Sequence, residues 1–281
     1  MADEDEVKSR NIIVPPMPAR RPGIYYGYYG VLSDDQIEST KNHTNLLWAI
    51  PWHRSKQYLD KCKADILAAK KATFLDVNAV FFASEVAITK ENVKDLVIDD
   101  NCEQRLETWF RDLDAAGALK YIVGIVMMDE FNLCGFTRTM VIDSLNRIKR
   151  VVDKFPILSD VKYVVTYGDG AEFVGFDLFD YIGFDAYHYN SAFLRTDGPY
   201  VKRVRRNLTS KQRTLIYPGG YSVYKQDPTP FVNFAFRNHE VIGIIPFCWG
   251  GSTDVHGFTG IKDDENMVNA YTAAGRMVTG K

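Results

Sequence analysis

The chain has 281 residues, with 34 basic and 36 acidic side chains and a formal net charge of −2. This near-balanced charge argues against a general polyanion-binding surface, so nucleic acid is not an expected partner. A hydrophobic fraction of 46% can form a large core, and the four cysteines lack the close spacing of a zinc or redox motif. We therefore expect neither a metal nor a cofactor.

The N-terminal region differs in composition from the rest of the chain. Residues 1–6 are strongly acidic, and residues 15–22 contain four prolines. This composition predicts an irregular arm over residues 1–22, followed by one domain over residues 23–281. The sequence has no signal-peptide core and no run of about 20 apolar residues, so we expect no membrane partner. A cytoplasmic or virion-associated location is expected, and the oligomeric state stays open.

Eight apolar segments alternate with segments of helical spacing. The predicted strands cover residues 24–29, 44–50, 72–83, 120–130, 161–167, 181–187, 214–217 and 241–249. The predicted helices cover residues 33–41, 55–72, 102–116, 137–155, 198–209, a segment starting at residue 228, and 264–277; another helix could begin at residue 89. This alternation predicts an α/β fold with a parallel sheet, and eight units in this length favour a closed (β/α)₈ TIM barrel.

The fourth predicted strand, residues 120–130, carries the leading catalytic candidate. It is apolar over most of its length and ends at Asp129 and Glu130. In such a barrel the C-terminal ends of the strands form the active site. A glycine inside a barrel strand often faces inward, and alternation from Gly124 then places every second residue up to Glu130 inward. Asp129 would face inward only if the backbone turned just before it.

The same alternation nominates side chains on two other strands. Counting from Gly183 places Asp185 and Tyr187 inward, and counting from Gly243 places Trp249 inward. Aromatic rings such as Tyr187 and Trp249 suit stacking on the apolar face of a sugar, although each also fits simple packing at the rim.

Five further residues complete the predicted site. Asp76 on strand three and Asp169 after strand five are candidate carboxylates. Tyr26 and Tyr28 on strand one and Tyr217 at the end of strand seven are candidate substrate contacts. Tyrosine is abundant in this chain, with 16 residues, so each of these assignments rests on position in the barrel.

Three strand ends resemble those of (β/α)₈ glycoside hydrolases. They are residues 128–130, with Glu130 at the end of strand four, residues 180–187 on strand six, and residues 247–250 with a Trp after strand eight. The resemblance implies a carbohydrate substrate and Glu130 as the general acid/base. The sequence departs from the retaining enzymes at strand seven, where residues 215–220 lack the nucleophilic Glu.

A glycosidase commonly needs a second carboxyl group, about 5 Å away for retention and about 6.5–9.5 Å away for inversion. Asp185, Asp169 and Asp76 are the candidates for this group. The adjacent Asp129 and Glu130 also resemble the Asp-Glu pair of hexosaminidases, in which the acetamido group of the substrate is the nucleophile.

Two other functions stay open on sequence alone. A barrel that binds carbohydrate without cleaving it is consistent with the absent Glu on strand seven. An enzyme acting on a phosphorylated small molecule is suggested by Gly219-Gly220 and by residues 250–252, because loops after strands seven and eight often bind phosphate through backbone N–H groups.

Overall fold

The sheet is a parallel barrel. The computed structural model describes residues 18–29, 36–82, 100–168, 172–187, 199–250 and 259–281. Within these ranges, eight parallel strands follow the order β1-β8-β7-β6-β5-β4-β3-β2, and helices lie between most of them. The predicted (β/α)₈ barrel is confirmed, because each strand returns to the same edge of the sheet through a crossover.

The strands are shorter than predicted, and the helices agree more closely. The strands are β1 Tyr25–Tyr26, β2 Leu46–Ala49, β3 Ala72–Asp76, β4 Ile122–Val126, β5 Lys162–Tyr167, β6 Tyr181–Asp185, β7 Arg213–Tyr217 and β8 Val241–Ile244. The helices are α1 Gln36–Thr40, α2 Lys56–Ala69, α3 Asn78–Phe81, α4 Cys102–Ala115, α5 Arg138–Val152, α6 Pro199–Asn207, α7 Thr229–Arg237 and α8 Glu265–Thr279. Predicting strand three to run to residue 83 was wrong, because the chain turns into α3 directly after Asp76.

Two apolar layers hold the barrel together. The inner layer fills the barrel and includes Trp48, Phe74, Val126, Leu215 and Tyr217. The outer layer lies between the sheet and the helices and contains most of the buried apolar side chains. Alternation along each strand sends successive side chains to these two layers, which is why the apolar runs of the sequence are nearly continuous.

Asn45 makes the hydrogen bonds that join β1 and β2 in the described part of the chain. The backbone N–H of Asn45 donates to the carbonyl oxygen of Tyr26 at 2.9 Å. The Asn45 side chain accepts from the Tyr26 N–H at 2.6 Å and donates to the Ile24 carbonyl at 2.9 Å. The Asn45 side chain thus stands in for part of the missing strand-to-strand ladder at this seam.

Residues 18–22 are fixed to the N-terminal side of the barrel. Arg20 donates to the carbonyl oxygens of Val278 and Thr279, and Arg21 donates to the carbonyl oxygens of Asn238 and Val241. Residues 1–17 lie outside the described ranges, so the domain boundary at residue 22 stays a prediction. Every helix in the described part of the chain is too short or too polar to reach across a bilayer.

Candidate active site

Glu130 reaches the barrel mouth through a turn. β4 ends at Val126, and Met128 packs in the outer layer. Predicting an inward Met128 by alternation was therefore wrong. Glu130 has a φ of +43°, in the left-handed region, and its carbonyl accepts from the Leu133 N–H at 2.8 Å. This turn brings both Asp129 and Glu130 to the mouth, and a strained conformation of a non-glycine residue is a common feature of functional sites.

Glu130 and Asp185 form a hydrogen-bonded carboxyl pair. Asp185 ends β6 with only 6% of its surface exposed. Burial, then the hydrogen bond with the Glu130 carboxyl, and then the charges of Glu130 and Asp129 raise the pKa of Asp185 to about 10. Two carboxyl groups in contact inside a protein share a proton, because both cannot be ionised at low cost. Asp185 therefore keeps its proton at neutral pH, beside the Glu130 carboxyl group.

Asp129 is the third carboxyl group of the mouth. Its Oδ2 atom accepts a hydrogen bond of 2.7 Å from the Tyr29 hydroxyl. Burial, followed by the charge of Glu130, raises the pKa of Asp129 to about 7, and the bond from Tyr29 opposes this rise. Burial also raises the pKa of Tyr29 well above its usual value, so the phenol keeps its proton and remains the donor.

Asp76 lies at the end of β3, close enough to Asp129 for their charges to interact. It is 3% exposed, and its Oδ1 atom accepts from the Asn78 N–H at 2.8 Å. Burial raises the pKa of Asp76 to about 8; the bond from the Asn78 N–H opposes the rise, and the charge of Asp129 adds to it. Its bond to Asn78 fixes the turn between β3 and α3, so we assign Asp76 a structural role.

The raised pKa of Asp76 predicts that the protein is less stable at high pH. The native state keeps the Asp76 proton up to about pH 8, whereas the unfolded chain loses it near pH 4. The unfolded state then binds fewer protons over this window, so the free energy of unfolding falls as the pH rises. Asp76→Asn should reduce this fall between pH 5 and pH 8 by at least about 1 kcal/mol in urea unfolding curves.

The matched control is Asp160→Asn, which changes an exposed carboxyl group far from the mouth. It should leave the pH dependence of stability as it is in the wild type. An equal pH dependence in Asp76→Asn and the wild type would contradict the assignment of a buried, protonated Asp76.

Gly168 leaves the space that the Glu130 carboxyl group occupies. A Cβ atom at Gly168 would lie 2.7 Å from Oε1 of Glu130 and would also overlap with Leu133. Gly168→Ala should therefore displace the Glu130 carboxylate. The sequence predicts that Glu130 is the catalytic acid, and a shift of about 1 Å at such a group can cost on the order of 100-fold in rate, so the expected loss of kcat is of that size.

Steady-state kinetics and circular dichroism together test this expectation. The double variant Gly168→Ala with Leu133→Ala removes the apolar overlap and keeps the overlap with the carboxylate, so it should not recover kcat. Full turnover by a folded Gly168→Ala variant would show that the position of Glu130 does not depend on Gly168.

Three predicted substrate contacts lie outside the mouth. Tyr26 is fully buried and donates its hydroxyl proton to the carbonyl of Tyr271 at 2.8 Å. The Tyr28 hydroxyl is 3.0 Å from Nε2 of His43, and the Trp249 ring packs 4.9 Å from the ring of Tyr28. Predicting an inward Trp249 was wrong, because β8 ends at Ile244 and the strand alternation does not extend to residue 249. With 4% of its surface exposed, Trp249 offers no face to a sugar.

Tyr217 faces into the barrel at the end of β7. It is almost fully buried, and its hydroxyl is 3.2 Å from Oγ1 of Thr166, which donates to it. The ring fits because β6 carries Gly183, where a Cβ atom would overlap with the Tyr217 hydroxyl. Tyr217 therefore fills the interior below the carboxyl groups.

Tyr187 lies beside the carboxyl groups as predicted, and it belongs to a larger aromatic cluster. The tyrosine bonds to Asp185, and its ring packs against the rings of Tyr221, Tyr224 and Phe247. Extending the alternation from Gly243 as far as Phe247 identifies one of these rings. The two tyrosines follow β7 in a loop, where no periodic pattern applies.

The backbone of the first glycine pair is already hydrogen-bonded. The Gly219 N–H donates to Oε1 of Gln226 at 2.6 Å, and the Gly220 N–H donates to the Phe247 carbonyl at 2.6 Å. These N–H groups are not available to a phosphate. This loop therefore no longer supports the hypothesis of a phosphorylated substrate. Asp169 and residues 251–252 lie outside the described ranges. The described residues contain no group of three or more side chains that could hold a metal ion.

The fold is shared with glycoside hydrolases of known structure. The GH5_18 protein from Streptomyces cattleya, in complex with GlcNAc, superimposes with a TM-score of 0.59 at 14% identity, covering 93% of this chain and 80% of that chain. The GH113 β-mannanase from Alicyclobacillus acidocaldarius gives a TM-score of 0.50 at 13% identity, and the match covers 91% of this chain and 98% of that chain. The β-glucuronidase from Faecalibacterium prausnitzii gives a TM-score of 0.60 at 11% identity, and the match covers 91% of this chain and 49% of that chain.

The GH2 β-galacturonidase from Eisenbergiella tayi matches with a TM-score of 0.56 at 13% identity, covering 92% of this chain and 51% of that chain. This chain thus spans about half the length of that enzyme and of the β-glucuronidase. No protein-family model matches the sequence, and no curated protein sequence matches it. At these identities the likeness concerns the fold: the chain is a (β/α)₈ barrel built like those of glycoside hydrolases.

Proposed function

We propose that this barrel is a glycoside hydrolase in which Glu130 donates the proton to the leaving oxygen. The observation that carries the proposal is the hydrogen-bonded pair of Glu130 and Asp185 at the C-terminal mouth, with Asp129 beside it. Cleavage of a glycosidic bond needs a carboxyl group that is still protonated near neutral pH. Burial and the contact with Glu130 keep such a proton on Asp185, next to the proposed donor.

The pair also suggests how the roles divide. Asp185 touches Glu130, so the two groups lack the separation of about 5 Å or more that places carboxyl groups on either side of a scissile bond. Asp185 is therefore proposed as a positioning residue, which keeps the shared proton and orients Glu130. Asp129, held by Tyr29, is the described carboxyl group best placed to stabilise positive charge on the sugar ring or to activate water.

The proposed reaction is a hydrolysis. The proton of Asp185 passes through Glu130 to the glycosidic oxygen as the bond between that oxygen and the anomeric carbon breaks. A water molecule adds to the anomeric carbon, and its proton returns to the carboxyl pair. Water supplies every added atom, so no oxidant or cofactor is required.

A barrel that binds sugar without cleaving it is the second candidate. The observation that favours it is Tyr217, whose ring occupies the end of β7 where retaining relatives carry a nucleophilic Glu. In that case the carboxyl pair would serve only as a hydrogen-bonding group for sugar hydroxyls.

Turnover on a defined panel separates the two candidates. The panel contains aryl glycosides of glucose, mannose, galactose, N-acetylglucosamine and glucuronic acid, together with soluble β-linked glucan, mannan and chitin oligosaccharides. Release of aryl alcohol or of reducing ends by the wild type, and not by a Glu130→Gln preparation purified in parallel, supports the hydrolase. Binding of an oligosaccharide without release of product from any substrate supports the binding module.

A further inference from the structure

We infer that the end of the barrel opposite the carboxyl groups binds a small oxyanion of the phosphate type between the ammonium groups of Lys71 and Lys281. Lys71 lies directly before β3, and Lys281 lies two residues after α8. Both side chains reach the residue before the start of β2 that is described next, so the site lies at the N-terminal ends of the strands. It is independent of the proposed hydrolysis.

The two ammonium groups meet at one residue, Thr44. The Nζ atom of Lys71 donates to Oγ1 of Thr44 at 2.6 Å, and the Nζ atom of Lys281 donates to the carbonyl oxygen of Thr44 at 2.7 Å. The Thr44 hydroxyl donates its own hydrogen to the carbonyl oxygen of Thr40 at 2.9 Å. Two like charges are therefore held close together, an arrangement that an anion between them would stabilise.

No acidic side chain in the described part of the chain neutralises these two lysines. Neither Lys71 nor Lys281 is within ion-pair distance of a described Asp or Glu side chain. The acidic residue of the neighbouring helix α1, Glu38, is paired with Lys41. The positive charge at this end of the barrel is thus left for a ligand to balance.

The electrostatic cost of this cluster is visible in its titratable groups. Burial, followed by the charge of Lys281, lowers the pKa of Lys71 to about 8. Burial, followed by the charges of Lys71, Arg276 and Lys281, lowers the pKa of the adjacent His43 to about 4. Arg276 on α8 therefore adds a third positive charge to the surroundings of the site. An anion bound here would favour the charged form of Lys71.

A buried amide supplies a further group to the site. Gln36 is 3% exposed, and its Oε1 atom accepts no hydrogen bond from the described residues. Gln36 lines a cavity of about 10 Å³ together with Thr40, Thr44 and Lys71. Such a volume has room for one oxygen-sized group. Because the two ends of an amide have nearly the same shape, a half-turn of this side chain would present its NH₂ group to an anion oxygen in the cavity.

The donor set favours an oxyanion with several oxygens. Lys71 and Lys281 come from different parts of the chain, and Gln36 lies on the inner side, so the donors surround a point from more than one direction. Phosphate can accept from several donors at once, and lysine binds it as a point charge. Lys281 is exposed and Lys71 is half-buried, which leaves the site open to solvent.

Urea unfolding at neutral pH tests the inference, with inorganic phosphate as the probe and sodium chloride used to hold the ionic strength constant. A ligand that binds only the native state lowers the equilibrium constant for unfolding by the factor 1 + [L]/Kd. We expect a decrease of about tenfold when phosphate is present at roughly ten times its Kd. The effect should saturate at millimolar phosphate, whereas general exclusion of the salt from the protein surface does not saturate.

Three variants assign the effect to the site. Lys71→Gln and Lys281→Gln should each lose the saturable stabilisation. Lys70→Gln is the matched control, because Lys70 is an exposed lysine next to Lys71, and it should keep the effect. The effect of phosphate is measured within each variant, so a change in its basal stability does not alter the comparison. Saturable stabilisation of equal size in Lys71→Gln and the wild type, or none in the wild type, would overturn the inference.

A second probe distinguishes a free anion from the phosphate group of a larger molecule. Glycerol 3-phosphate presents the same kind of group on an organic body. A lower Kd for inorganic phosphate supports a site for the free anion, and a lower Kd for glycerol 3-phosphate supports a site for a phosphomonoester. Either result supports the inference only if Lys71→Gln abolishes the binding, and binding that is unaffected by Lys71→Gln contradicts it.

Discussion

Replacing Glu130 with Gln is expected to reduce kcat on any cleaved glycoside by about 10²–10⁴-fold, the usual contribution of general acid–base catalysis. The amide has nearly the same shape as the carboxyl group, but it cannot pass on the proton that Asp185 holds. Binding should persist, because the shape of the mouth is kept. Steady-state kinetics and titration with an oligosaccharide measure the two effects separately.

Glu172→Gln is the matched control, because Glu172 is an exposed carboxyl group in the segment that follows β5. It should keep wild-type kcat. An aryl glycoside with an activated leaving group needs less help from an acid, so the loss in Glu130→Gln should be smaller on that substrate. A loss of equal size on activated and unactivated substrates would contradict proton donation by Glu130.

Gly275→Ala is expected to destabilise the fold by about 3 kcal/mol or more, although alanine is the better helix former by about 1 kcal/mol. Gly275 lies in α8, where the helix meets the residues before β2. A Cβ atom there would overlap with the backbone carbonyl oxygen of His43 and would lie 2.8 Å from Cε1 of the buried Tyr26. Neither neighbour can move aside like a flexible side chain, so α8 itself must shift.

Urea unfolding measures this effect, and Ala273→Gly provides the comparison. Ala273 is exposed on the same helix. Its replacement by glycine should therefore lower the free energy of unfolding only by the difference in helix propensity, about 1 kcal/mol. Opposite substitutions in one helix should then both destabilise, and Gly275→Ala should do so more strongly. Stabilisation by Gly275→Ala would show that α8 is not tightly packed against His43.

The sequence was sufficient to predict the barrel, because the fold follows from repeated local patterns. Apolar runs such as Ile122–Val126 are recognisable without any partner, and the helix from Arg138 to Val152 shows clear helical spacing. The end of β3 was mispredicted because the apolar residues of α3 continue the apolar run of the strand. Composition alone does not separate a strand from a helix across such a boundary.

The site was predictable only in part. Placement of Glu130 at the mouth was expected from alternation, yet the side chain arrives there through a left-handed turn that the expectation did not include. Trp249 shows the opposite case, since the same counting continued beyond the end of β8 and assigned an outer-layer residue to the mouth. Tyr29, which holds Asp129, is joined to it by a contact between residues 100 positions apart. No local pattern reveals such a pairing.

The seam at Asn45 bears on how the sheet leaves no open edge between β1 and β2. A sheet that ended at β1 and β2 would offer unpaired N–H and C=O groups to any other extended chain, which is the usual origin of edge-to-edge aggregation. The Asn45 side chain occupies the donor of Tyr26 and the acceptor of Ile24. One amide group thus satisfies both backbone groups at this border, and Asn45→Ala would leave them buried without a partner.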